Sequence, residues 1–116
     1  MIRTKAERKT DIFEHKFGAD GFITVTNLIN NDQELNNKGR CFAHTKVEPG
    51  SGIGFHEHHG ESELYYVLKG SAEYSDNGEW KPIHEGDVTI CYDGESHGIR
   101  NNGNETLEII ALILYN

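Results

Sequence analysis

The chain has 116 residues, 35% hydrophobic and 26% charged, with 13 glycines and two prolines. That length suits one domain and excludes two, and the composition excludes a disordered chain. Nineteen acids against 11 Lys and Arg give a net charge of -8, which leaves no basic stripe for phosphates and excludes nucleic acid as a partner.

The opening MIRTKAERKTD is charged and has no apolar run behind it, so it does not read as a secretory signal. Within it, Thr4-Lys5-Ala6-Glu7 has the form of a capping box opening a short helical or irregular segment. After Gly18 the chain breaks into short apolar or alternating runs separated by turn signals. Phe22–Ile29 is the first; residues 30–39 (NNDQELNNKG) form a polar loop, and Cys41–Val47 follows, ended by Pro49-Gly50. Leu64–Leu68 and Ala72–Ser75 come next, then Trp80–Ile83, Val88–Tyr92, His97–Asn101 and Thr106–Tyr115. Asn-Gly at 77–78 and at 102–103 is a strong hairpin signal, because both residues tolerate positive φ. Short strands at this spacing predict an all-β sandwich or barrel over residues 21–116, with residues 1–20 as an extension packed on it. No run approaches the roughly 20 apolar residues needed to span a bilayer. The expected location is cytoplasmic, with Cys41 and Cys91 as reduced thiols.

Chemistry concentrates in GIGFHEHHGESELYYVLKG, residues 52–70. If residues 53–58 are extended, alternation puts His56 and His58 on one face and Phe55 and Glu57 on the other. A turn around Gly60 then brings Glu63 back beside the two imidazoles. Two histidines and a carboxylate leave open positions on a metal, and His97, on a later strand, is placed to supply a fourth ligand. Glu61 is an alternative to Glu63. The glycines of GSGIGF do not make a dinucleotide loop, since Phe55 stands where the third glycine is needed and no helix follows. HEHHG fails as a zinc-protease helix because Gly60 takes the place of the second histidine.

Residues 50–70 read G-x5-H-x-H-x4-E-x6-G, and residues 86–101 read G-x5-Y-x-G-x2-H-x3-N. Together they resemble the two motifs of the cupin superfamily, with the short spacing of its small single-domain members. Tyr92 stands where the second motif usually has proline, a departure that touches no ligand. The resemblance implies a double-stranded β-helix (a jelly-roll barrel of six to eight strands) around one divalent transition metal: iron, manganese, nickel, zinc or copper. By position it implies His56, His58, Glu63 and His97 as the ligands. It also implies a small, oxygen-rich ligand such as a carboxylate, sugar or diketone, held through two oxygens. The reaction is left open among dioxygenase, decarboxylase and isomerase, with non-catalytic binding or sensing as the alternative.

Glu61 and Tyr65 are the expected catalytic residues, His44 being a further possible base. Alternation nevertheless turns His44 outward, and His59 falls on the turn. Alternation also sends Glu63, Tyr65 and Val67 inward and Leu64, Tyr66 and Leu68 outward. Both faces of that strand are apolar, so both should be covered, either by the N-terminal segment or by a second copy in a homodimer.

Overall fold

The computed structural model describes residues 1–116 and contains ten strands in two antiparallel sheets. The strands are β1 (Lys9–Glu14), β2 (Phe22–Asn27), β3 (Gly39–Val47), β4 (Gly52–Glu57), β5 (Glu61–Lys69), β6 (Ser71–Asp76), β7 (Glu79–His84), β8 (Val88–Cys91), β9 (Ser96–Arg100) and β10 (Leu107–Tyr115). The larger sheet runs β1-β2-β3-β10-β5-β8 and the smaller β4-β9-β6-β7. All eight expected runs are strands. The count exceeds six to eight, and no ladder closes the sheets into a barrel.

Alternation builds the core. Leu107, Ile109, Ala111 and Ile113 of β10 are buried, as are Tyr65 and Val67 of β5 beside it. Ile99 of β9 and Tyr74 of β6 face them from the smaller sheet. A fully buried aliphatic side chain of this kind stabilises the fold by about 1.5–3 kcal/mol.

Asn77 (φ 54) and Gly78 (φ 98) make the two-residue turn between β6 and β7, as their sequence predicts. Asn102-Gly103 does not make a hairpin, because β9 and β10 lie in different sheets. Buried Asn101 organises that crossing instead. Its amide donates to the carbonyls of Val47 (2.9 Å) and Glu105 (2.7 Å), and its oxygen accepts from Gly103 N–H (3.0 Å).

At the N-terminus, Thr4 and Glu7 do form a capping box, but around a single 3₁₀ turn, Lys5–Glu7. The chain then adds β1 to the edge of the larger sheet and lays the turn Lys16–Gly18 against β4. It does not cover the outer face of β5, where Tyr66 and Leu68 stay exposed. No helix is long and apolar enough to cross a membrane.

Two bulges re-aim side chains toward one end of the molecule. In β4, Ile53 pairs with Ile99 and His56 with His97, three residues against two. The extra residue lets Ile53 and His56 both face inward, which strict alternation forbids. In β3, Cys41 pairs with Ile113 and Gly39 with Leu114, leaving Arg40 outside the pairing.

Candidate metal centre

His56 on β4, His58 just beyond it, Glu63 on β5 and His97 on β9 converge so that one ligand atom from each lies within 4.8 Å of all the others. The Nε2 of His97 is 3.1 Å from the Nε2 of both His56 and His58, and 3.0 Å from Glu63 Oε1. His58 Nε2 is 3.1 Å from the same oxygen, and His56 Nε2 is 3.9 Å from it. An octahedral ion with bonds of about 2.1 Å sets adjacent ligand atoms about 3 Å apart and opposite ones about 4.2 Å apart. The spacing in the cluster fits such an ion.

The far nitrogens of the imidazoles explain why the near ones can ligate. His56 Nδ1 lies 2.7 Å from the Gly54 carbonyl, which only accepts, so Nδ1 carries the hydrogen and Nε2 a lone pair. His58 Nδ1 is 2.8 Å from the Glu61 carboxylate and is fixed in the same way. His97 Nδ1 meets the Tyr74 hydroxyl at 2.9 Å, an oxygen able to accept its hydrogen. The lone pair of neutral His58 therefore faces the carboxylate of Glu63, acceptor against acceptor. A shared cation, or a proton on His58, resolves that opposition, and the donor set fits a divalent metal.

The charges agree. Burial opposes ionisation of Glu63, but the three imidazoles of His56, His58 and His97 gathered around its carboxylate outweigh burial and hold its carboxyl well below the usual carboxylate range. Hydrogen bonding to Glu63 raises the pKa of His58 against burial, with Glu61 adding to it. Burial lowers that of His97, with Glu63 only partly offsetting it. Arg40 reaches Glu61 with two hydrogen bonds of 2.7 Å each and keeps that carboxyl low, with His58 contributing.

Glu63, not Glu61, thus joins the three histidines. Glu61 stands behind His58. Tyr65 is buried, its ring 5.0 Å from that of His97 and nearly parallel (17°), and burial reinforced by Glu63 raises its phenol pKa well above normal. His44 points outward to Glu108 at 2.8 Å, and His59 is exposed beside Glu57. Sequence reasoning missed Arg40, Tyr74 and Phe17, whose ring stacks on His56 at 4.1 Å.

The cluster opens onto a cavity of about 440 Å³, half of whose lining residues are hydrophobic. Ile23, Ile53, Ile109 and Ala111 form apolar wall, while the half-exposed Phe13 and Phe17 sit at the rim with Lys16 and Arg40.

Fold and site together define a two-sheet β protein with a largely buried three-histidine, one-carboxylate cluster able to hold a metal beneath a small cavity. Residues 43–113 match the cupin domain, and the chain belongs to that family. It is 39% identical over 114 residues to the oxalate-binding protein of Thermotoga maritima, covering 98% of this chain and 93% of that one. The crystal structure of a predicted oxalate decarboxylase from Thermotoga maritima superimposes with a TM-score of 0.94 at 38% identity, over all of both chains. A Klebsiella pneumoniae protein with a double-stranded β-helix domain shares the fold, with a TM-score of 0.68 at 24% identity over 78% of this chain and 75% of that one.

Proposed function

We propose that the protein binds a small oxygen-rich anion, of which oxalate is the leading example, through a divalent transition metal held by His56, His58, Glu63 and His97. What carries this reading is the convergence of four donor atoms, from buried His58, Glu63 and His97 and partly buried His56, with the other nitrogen of each imidazole engaged. Iron, manganese, nickel, zinc and copper all suit three nitrogens and one oxygen. Such a cation supplies positive charge and free coordination positions for two oxygens of one ligand. Glu61, backed by Arg40, holds His58 in its ligating tautomer, and the stacked rings of Tyr65 and Phe17 fix His97 and His56. The apolar walls keep competing water from the bound anion. The oxalate-binding relative supports the choice of ligand.

Turnover is the second reading, favoured by the relative described as a predicted oxalate decarboxylase. In it Glu61 or Tyr65 would handle protons, although Glu61 is held by Arg40 and His58. Calorimetry with oxalate on metal-loaded and metal-stripped protein tests the first reading, and release of carbon dioxide tests the second. Absence of oxalate binding with all five metals defeats both.

The same proposal takes residues 21–116 as the cupin unit and residues 1–20 as an extension, in a reducing cytoplasm that keeps Cys41 and Cys91 free. It includes a homodimer. Across four adjacent strands, Phe42, Leu112, Leu64 and Ile90 form one outward row, and Ile110, Tyr66 and Val88 lie in the next. A second copy covering these rows removes them from water. Light scattering of the wild type and Tyr66→Lys tests this, and a wild-type monomer at high micromolar concentration refutes it.

A further inference from the structure

The chain before β2 does more than extend a sheet. His15 (φ 50) and Phe17 (φ 51) both take the left-handed conformation that non-glycine residues avoid. Three hydrogen bonds hold this turn: His15 N–H to Gly21 O at 2.9 Å, Gly18 N–H to His15 O at 2.9 Å and Ala19 N–H to Lys16 O at 3.2 Å. Gly54 lets it approach β4, since a Cβ there would overlap the Phe17 carbonyl oxygen. The outcome is a defined rim. Phe17 stacks on His56, and Lys16 Nζ sits 4.5 Å from the Phe13 ring centroid and 5.2 Å from that of Phe17.

Of the other charged groups lining the cavity, Arg40 is paired with Glu61, Glu57 with His59, and Glu63 with the histidines. Asp11 accepts from the Asn27 amide. Lys16 has no carboxylate within 4.0 Å, although it lines the same cavity, one aromatic ring from His56.

We infer that Lys16 is the residue that selects for charge in the bound anion, receiving the carboxylate of a dianion that faces the cavity mouth. The inference rests on the metal-dependent anion binding proposed above. A divalent cation with Glu63 carries one positive charge, so a bound dianion leaves one negative charge in a half-apolar cavity. Lys16 is the unpaired cation placed to neutralise it. The two rings beneath it restrict its swing without neutralising it. A monoanion leaves no excess charge and has little use for Lys16.

The test compares wild type, Lys16→Met and Lys16→Arg, each loaded with manganese, titrated calorimetrically with oxalate and with glycolate, a monoanion offering the same chelating pair of oxygens. Metal content is measured in parallel. Lys16→Met is expected to bind oxalate about tenfold more weakly and glycolate within twofold of wild type, with metal content unchanged and Lys16→Arg close to wild type. Oxalate affinity of Lys16→Met within twofold of wild type overturns the inference and leaves the metal reading intact. Equal losses for both ligands also overturn it, because they mark a structural role. If wild type binds neither anion in a metal-dependent way, the functional reading fails and the inference fails with it.

Discussion

Replacing Gly54 with alanine perturbs the turn at residues 15–18 and the bulge in β4 together. The new Cβ would stand 2.6 Å from the Phe17 carbonyl carbon and 3.1 Å from the Phe17 Cβ, closer still to the carbonyl oxygen. Backbone cannot step aside as a flexible side-chain end can, so either the turn lifts or β4 shifts. Overpacking of this kind costs about 1–3 kcal/mol. Losing the stack of Phe17 on His56 adds roughly 0.5–1.5 kcal/mol. The expected destabilisation is therefore about 2–4 kcal/mol, lowering Tm by roughly 10 °C or more. Urea unfolding of metal-free protein is the assay, so that metal linkage does not enter. Gly86→Ala is the comparator: its site has positive φ (+87) but open space, so only conformational cost, about 1–2 kcal/mol, applies. Truncating Phe17 should not rescue Gly54→Ala, because the overlap is with the main chain. A Gly54→Ala protein within 0.5 kcal/mol of wild type would refute the close-approach argument.

Glu61→Gln should weaken metal affinity about tenfold, since His58 loses a charged acceptor and Arg40 its partner; chelator competition measures it, and a change under twofold contradicts the role. Asn101→Ala leaves two carbonyls and one N–H without their partner and should cost about 2–4 kcal/mol in urea unfolding. A cost below about 1 kcal/mol would contradict that pinning role. Burial pushes the thiols of Cys41 and Cys91 up to about 11, so folded protein should react slowly with iodoacetamide at pH 8. Because these pKa values are raised on folding, their stability contribution is complete below pH 9 and declines between pH 9 and about 11. Fast alkylation of native protein at pH 8 contradicts the burial assignment.

What the sequence reveals about this protein is set by how local each signal is. The proposed ligands His56, His58 and Glu63 lie within eight residues and obey strand alternation, so their common face is readable. Alternation in β5 and β10 likewise marks the core. β1 escapes detection because KTDIFE is an exposed edge strand with no buried face to impose a period. Asn102-Gly103 misleads because a turn signal does not say whether the next strand stays in the same sheet. Arg40 joins the site through a bulge, which shifts side-chain phase without a residue signature. Tyr74 and Phe17 meet their histidines across 23 and 39 residues of chain, distances no local pattern spans.

The division of the strands into two unjoined sheets gives β9 a particular mechanical position. Near one end of it His97 meets Glu63 of the opposite sheet; just past the other end Asn101 grips the Val47 carbonyl of that same sheet. The sandwich is thus laced at two points along one strand, one by a hydrogen bond to the main chain and the other by side chains proposed to share a metal. If they do, stripping that metal leaves the Asn101 end tied and loosens only the cavity end. Hydrogen exchange should then quicken at β4 and the start of β9 while the far end stays protected, so that amide protection across the molecule reads out the occupancy of a single site.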